Sequence, residues 1–332
     1  MTELPEQAPQ DFTPLPPEAD VHPSEPPALI EPTLPPDLMS PALVPSYFEQ
    51  DTGLLFQHYI KPPQERVPHM GHLGILFVLG LIGLGIAALL ANLALTHHLF
   101  GVATLQQAAG EIHYTLGTEA LFYLLTFAAC LIVFPFFWHK SFFAGLQWRS
   151  DRAVQRAGYL IGAAVVCFIL AMFDGALLPG PPDAPIDRIF RMPGAAWILF
   201  AFGVTLAPFF EELGFRGFLL PALSTAYDWI AEKMGRQTQP DLDPNGHPQW
   251  SLPAMITASI LTSILFAFLH ADQTGYSIGP FLLLIVVSLV LCAARLRLRS
   301  LAASVLIHST YNFLLFSFML IGTGGFKHLD KM

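Results

Sequence analysis

Seven apolar stretches, at roughly 71 to 95, 116 to 138, 157 to 178, 195 to 221, 253 to 272, 279 to 294 and 300 to 322, occupy nearly half of this 332-residue chain. Most are near the ~20 residues a helix needs to cross a hydrocarbon core. In lipid every backbone N–H and C=O must be satisfied within the protein, and no ten-residue alternating segments suggest a barrel, so the spans must be helices. The expected fold class is all-α, a polytopic membrane helical bundle of about seven transmembrane helices with a disordered N-terminal tail. Composition agrees, at 53% hydrophobic and only 12% charged, against about 25% charged in a soluble domain. The sixth stretch is short and reads as tightly hairpinned to the seventh.

The net charge of −9 is local. Residues 1 to 60 hold ten Asp or Glu and no Lys or Arg, and the remainder of the chain is nearly neutral. Proline concentrates in the same place, with 16 of 29 before residue 70. Such a segment cannot bury enough apolar surface to offset its ordering entropy, so 1–69 reads as an extended, disordered cytoplasmic tail. It serves as a spacer, or as a weak ligand for the aromatic groove of a partner domain. No basic region followed by a short apolar core and a cleavage site opens the chain, so the first span is expected to direct insertion. The expected division is the tail, three N-terminal spans over 70–194, a core over 195–322, and a short tail over 323–332. Cys130, Cys167 and Cys292 fall in apolar stretches without metal-like spacing and read as isolated buried thiols. Nothing calls for nucleic acid; the bilayer is the expected surrounding.

Basic residues near the span ends set orientation. Lys140, Arg149, Arg152 and Arg156 lie in the second connection, Lys233 and Arg236 in the fourth, and Arg295, Arg297 and Arg299 in the sixth. The first and fifth connections hold none, and the third has only Arg188 and Arg191. The three basic connections belong in the cytoplasm, which puts the N-terminus inside and the C-terminus outside. The arginine triplet reads chiefly as a topological anchor.

Inside the fourth stretch sits Phe-Phe-Glu-Glu-Leu-Gly-Phe-Arg-Gly, with Glu211, Glu212 and Arg216. A charge at a membrane helix centre costs about 2.5 to 3.5 kcal/mol even on the lenient scale, so such residues mark functional paths. Adjacent glutamates project about 100° apart, and the i,i+4 spacing pairs Glu212 with Arg216. That leaves Glu211 free as the active carboxylate; the alternative is an ion-pair cluster that fixes helix register. Gly214 and Gly217 would admit a close neighbour. His270 ends the fifth stretch one turn after Phe266, and taken alone reads as an interfacial histidine. His308 and Asn312 share one face of the last helix. One glutamate, two histidines and an amide match what water attack on a carbonyl requires: a base, an orienting imidazole, and donors for an oxyanion.

At these residues the chain resembles the CAAX protease and bacteriocin-processing (Abi) family of intramembrane endopeptidases. The blocks are Glu-Glu-x-x-x-Arg at Glu211, Glu212 and Arg216, Phe-x-x-x-His at Phe266 and His270, and His-x-x-x-Asn at His308 and Asn312, within roughly 195–322. The resemblance implies Glu211 as general base, His270 as holder of the water, and His308 with Asn312 at the oxyanion, with Glu212, Arg216 and Phe266 in support. The substrate would be a membrane-associated peptide or protein, prenylated or not, and the setting a bacterial cytoplasmic membrane. Glu211, His270 and His308 are also donors zinc accepts, with three protein ligands and a water. The His-Glu-x-x-His pattern is absent, the same residues can activate water unaided, and both readings stay open. Other function classes are a non-catalytic scaffold or immunity protein using the same polar pocket, and a carboxylate-based transporter, which the lack of inverted repeats disfavours.

Depth sets a condition. His308 lies about 12 Å from its cytoplasmic end, whereas His270, counted from 253, lies near the opposite face. The site closes only if the fifth helix begins in the cytoplasm and continues past His270, fed by a loop over 222–250.

Overall fold

The computed structural model describes residues 66–178, 185–190, 192, 194–236 and 248–326. The proline-rich segment up to residue 65, Arg191, residues 237–247 of the expected loop and the last six residues lie outside them. Among the described residues seven helices are long and apolar enough to cross a membrane: α1 Met70–Thr96, α2 Ile112–Trp138, α3 Ala157–Leu177, α4 Ala195–Lys233, α5 Leu252–His270, α6 Ile278–Leu298 and α7 Leu301–Gly322. The protein is an all-helical integral membrane bundle. All three cysteines are free and buried.

Helix α1 packs on α2, α5 on α6, and α3 on α6 and α7, while α4 runs through the centre against α1, α5, α6 and α7. The α1–α2 approach is close at Gly83, where a Cβ would stand 2.5 Å from Thr126 Oγ1. Small residues at such crossings let dispersion and backbone contacts act where lipid supplies no hydrophobic drive. The sixth span is not short. It runs 21 residues to Leu298, and only Arg299 and Ser300 separate it from α7. Arg299 takes a left-handed φ of 47° and the Ser300 hydroxyl caps α7 by accepting from Ala303 N–H.

Helix α4 departs most from expectation. It is broken into Ala195–Val204, Leu206–Glu212, a π-helical segment Leu213–Leu219, and Leu220–Lys233. Thr205 at the break has φ −117° and ψ −71°. Pro208 and Pro221 lack the N–H that a helix interior needs, which locally frees carbonyls about one turn upstream. In membrane helices such carbonyls must find other donors. Two do: Asn312 Nδ2 donates to the Gly203 carbonyl at 2.8 Å, and Arg295 Nε to the Arg216 carbonyl at 3.2 Å. Each acceptor lies five residues before a proline.

Residues 222–233 are helix rather than loop. The polar residues that suggest a loop include Ser224 and Asp228, and with Ala231 they form one buried face at i, i+4, i+7. Asp228 accepts from the Ser251 backbone N–H at 2.9 Å and faces Arg66 at 3.5 Å. Helix α5 stops at His270, and a turn follows, so it does not continue beyond as the depth condition requires. The extra length of α4 instead carries it to the start of α5, where Asp228 meets Ser251.

Candidate functional site

The two glutamates are the last residues of the Leu206–Glu212 segment, immediately before the π turn. A π segment adds about one residue to the turn and re-aims the side chains around it, and such segments recur at functional sites. Here it lies against α1, α5, α6 and α7 at once.

Glu212 and Arg216 are fully buried. The i,i+4 pairing is present, with Arg216 Nη1 donating to Glu212 Oε1 at 2.8 Å. Arg216 Nη2 reaches α6, donating to Ser288 Oγ at 2.6 Å and the Ser288 carbonyl at 3.2 Å. Its guanidinium carbon stands 4.8 Å from the Phe266 ring centroid. An arginine fits this place because its fork serves a carboxylate and a carbonyl together while its flat face lies on an aromatic ring. The same Glu212 oxygen meets His308 Nδ1 at 2.9 Å. Glu212 therefore orients His308 besides neutralising Arg216.

Glu211 points elsewhere. Its Oε2 faces His270 Nε2 at 3.7 Å and His308 Nε2 at 3.7 Å, and has no hydrogen-bond partner among the described residues. His270 Nδ1 lies 2.8 Å from the Phe266 carbonyl, an acceptor, so that nitrogen carries the proton and Nε2 is the one turned to Glu211. The same logic applied to Glu212 puts a proton on His308 Nδ1. Phe266 underlies the group, with its ring centroid 4.4 Å from that of His270 and 5.9 Å from that of His308. Glu211 and His270 are part-buried and His308 is buried.

Three elements thus bring Glu211, His270 and His308 together. Asn312, one turn along α7, touches the Gly203 carbonyl and leaves its second N–H uncommitted to any described group. Gly217 meets Leu301 of α7, with its Cβ position 3.4 Å from Leu301 Cδ2, whereas the corresponding space at Gly214 is open. Among the described residues no set of three His, Cys, Asp or Glu side chains is arranged to hold a metal ion.

Several residues at or beside the site escape the motif blocks. Ser288, Cys292 and Arg295 form one buried face of α6, and their spacing of i, i+4, i+7 was legible in the sequence. Arg295 is not an interfacial anchor; it is 3% exposed and donates inward. On α2, Tyr123 donates to Glu119 at 2.8 Å and stacks on Phe210, beside Glu211, with centroids 4.8 Å apart. The signal was a lone carboxylate with a tyrosine at i+4 inside an apolar run.

No curated protein and no solved structure matches the chain. A family model does. Residues 193–314 match the model described as type II CAAX prenyl endopeptidase Rce1-like, a stretch that takes in Glu211, His270, His308 and Asn312 and agrees with the family its motifs resemble.

Proposed function

We propose that the protein is an intramembrane endopeptidase that hydrolyses a peptide bond of a membrane-associated peptide or protein, prenylated tails included, with Glu211 as the base. The observation that carries this is the convergence of His270 Nε2 and His308 Nε2 on Glu211 Oε2, each at 3.7 Å. That separation exceeds a direct hydrogen bond and is within reach of a shared water. A water there would have two acceptors for its protons, Glu211 and His270 Nε2, which turns its lone pair toward a substrate carbonyl.

Glu211 takes one proton as the water oxygen bonds to the scissile carbon. The charge that develops on the carbonyl oxygen is met by the free N–H of Asn312, and by His308 when its Nε2 carries a proton as well as Nδ1. Collapse of the adduct breaks the C–N bond, and Glu211 returns its proton to the leaving amine. Preorganised donors in a water-poor site are the largest single contribution to such a step. Glu212, Arg216 and Ser288 hold His308 and the π segment in place. Glu211, His270 and His308 are donors zinc accepts, but among the described residues no such trio is arranged to hold a metal ion, and the scheme runs through none. By the distribution of basic residues the N-terminus and the Arg149–Arg156 connection face the cytoplasm, and a bacterial cytoplasmic membrane is the expected setting.

The test incubates purified full-length protein with a C-terminal cysteine peptide, farnesylated and unmodified, and reads products by mass spectrometry. Product from the intact protein and none from Glu211→Gln supports the reading. If product is equal in both arms, or if both arms give none while cells carrying the intact protein and Glu211→Gln are indistinguishable, the protein is not this protease.

A further inference from the structure

We infer that Arg295 is a positioning residue for this site: it substitutes for the backbone donor that Pro221 lacks, and so holds the π segment in the form that aims Glu211 and Glu212. The inference rests on the proposed protease reading for its turnover arm alone.

The geometry begins with the hydrogen-bond ladder. The Leu220 N–H donates to the Phe215 carbonyl, five residues back, in the π register. The next donor in that register would be residue 221, which would serve the Arg216 carbonyl. Proline stands there and has no N–H. An unpaired carbonyl within a bundle core is costly, and Arg295 Nε occupies it at 3.2 Å. The rest of the guanidinium is fixed by the connection between α2 and α3, with Nη1 donating to Gln147 Oε1 at 2.7 Å and Nη2 to the Leu146 carbonyl at 3.2 Å.

Arg295 is thus a buried cation held by carbonyl oxygens, with no carboxylate partner among the described residues. Desolvating a guanidinium for neutral acceptors is expensive, and a hydrophobic residue would fill the space at less cost if packing were the only requirement. What no hydrophobic residue supplies is a donor at the Arg216 carbonyl. The residue whose backbone it grips is the one whose side chain holds Glu212 at 2.8 Å, and Glu212 in turn holds His308 at 2.9 Å. The chain of contacts from Arg295 to the site is therefore continuous, although Arg295 touches no reacting group.

The experiment uses full-length protein in nanodiscs and four forms: intact, Arg295→Met, Pro221→Ala, and the double variant. Amide hydrogen exchange is read over residues 213–220, and turnover on the cleaved peptide is resolved into kcat and KM. Arg295→Met is expected to speed exchange over 213–220 by about tenfold, the equivalent of one hydrogen bond, and to lower kcat by about tenfold with KM within about twofold. Pro221→Ala alone is expected to cleave normally. In the double variant the backbone N–H that Pro221→Ala restores can reach the Arg216 carbonyl, so exchange and kcat should return to within about threefold of the intact values. A residue that merely fills space would not be rescued by a backbone N–H on another helix.

Unchanged exchange over 213–220 in Arg295→Met, or a folded double variant as defective as the single one, overturns the inference. Should Arg295→Met fail to accumulate, recovery of the double variant from membranes supports it and loss of both refutes it. If no peptide is cleaved by the intact protein, the protease reading fails separately, because the exchange arm does not depend on cleavage.

Discussion

Glu212 and His308 are joined by a 2.9 Å hydrogen bond across 96 residues of sequence, through the carboxylate oxygen that also accepts from Arg216. One buried oxygen therefore carries both the brace of α4 and the orientation of an imidazole on α7. The two glutamates consequently separate by role, though not into one catalytic and one merely structural residue.

Glu211→Gln is expected to remove cleavage while leaving membrane abundance near that of the intact protein. Glu212→Gln leaves Arg216 buried without its counter-charge, a loss of about 3 to 5 kcal/mol, and also weakens the hold on His308. It should lower both thermal stability and turnover. Melting of the purified proteins in one detergent, beside peptide turnover, checks this. An active Glu211→Gln with a folded, inactive Glu212→Gln would exchange the roles.

Asn312→Ala removes a donor from the oxyanion and also from the Gly203 carbonyl. The expected result is a fall in kcat of about 10², together with a stability loss of about 1 to 3 kcal/mol. A melting shift with unchanged kcat would leave Asn312 as a brace at the α4 break and take it out of the chemistry.

Topology is tested at exposed positions. Gln147 and Ser300 sit in the basic connections but are buried, so they are poor reporters. Gln155 and Gln106 are exposed in the second and first connections. The native thiols are buried and need no removal. In intact cells an impermeant maleimide is expected to label Gln106→Cys and spare Gln155→Cys. The reverse pattern would invert the bundle and move the access route to the site.

Metal removal is the fourth test. Extensive dialysis against a strong chelator is expected to leave turnover unchanged, since among the described residues no three His, Cys, Asp or Glu side chains are arranged to hold a metal ion. Activity that vanishes on dialysis and returns with stoichiometric zinc would replace the water-activation scheme with a metal one.

Much was legible in the sequence. Seven apolar runs near bilayer length admit only a helical bundle, because lipid offers the backbone no partners. Charges at that depth are too costly to be incidental, which singled out Glu211, Glu212 and Arg216. The i,i+4 rule paired Glu212 with Arg216 because helical spacing is local. The hairpin of the last two helices followed from their closeness along the chain.

What the tertiary structure decided is how elements distant in sequence share groups. No spacing rule could say that Glu212 would hold His308, that Ser288 would meet Arg216, or that Arg295 would turn inward instead of anchoring at the membrane surface. The α4 breaks belong to the same class. Pro208 and Pro221 announce in the sequence that carbonyls will be freed, but which side chains answer them depends on packing: Asn312 on α7 and Arg295 on α6. The depth mismatch between His270 and His308 arose from starting α5 level with residue 221, whereas α4 runs on to Lys233 and α5 begins beside that extension, with Ser251 bonded to Asp228. A helix that breaks at Thr205, widens at 213–219 and continues to Lys233 brings Glu211 to both histidines. Local sequence sets which backbone groups and charges need partners, and only the packed bundle determines which distant residues provide them.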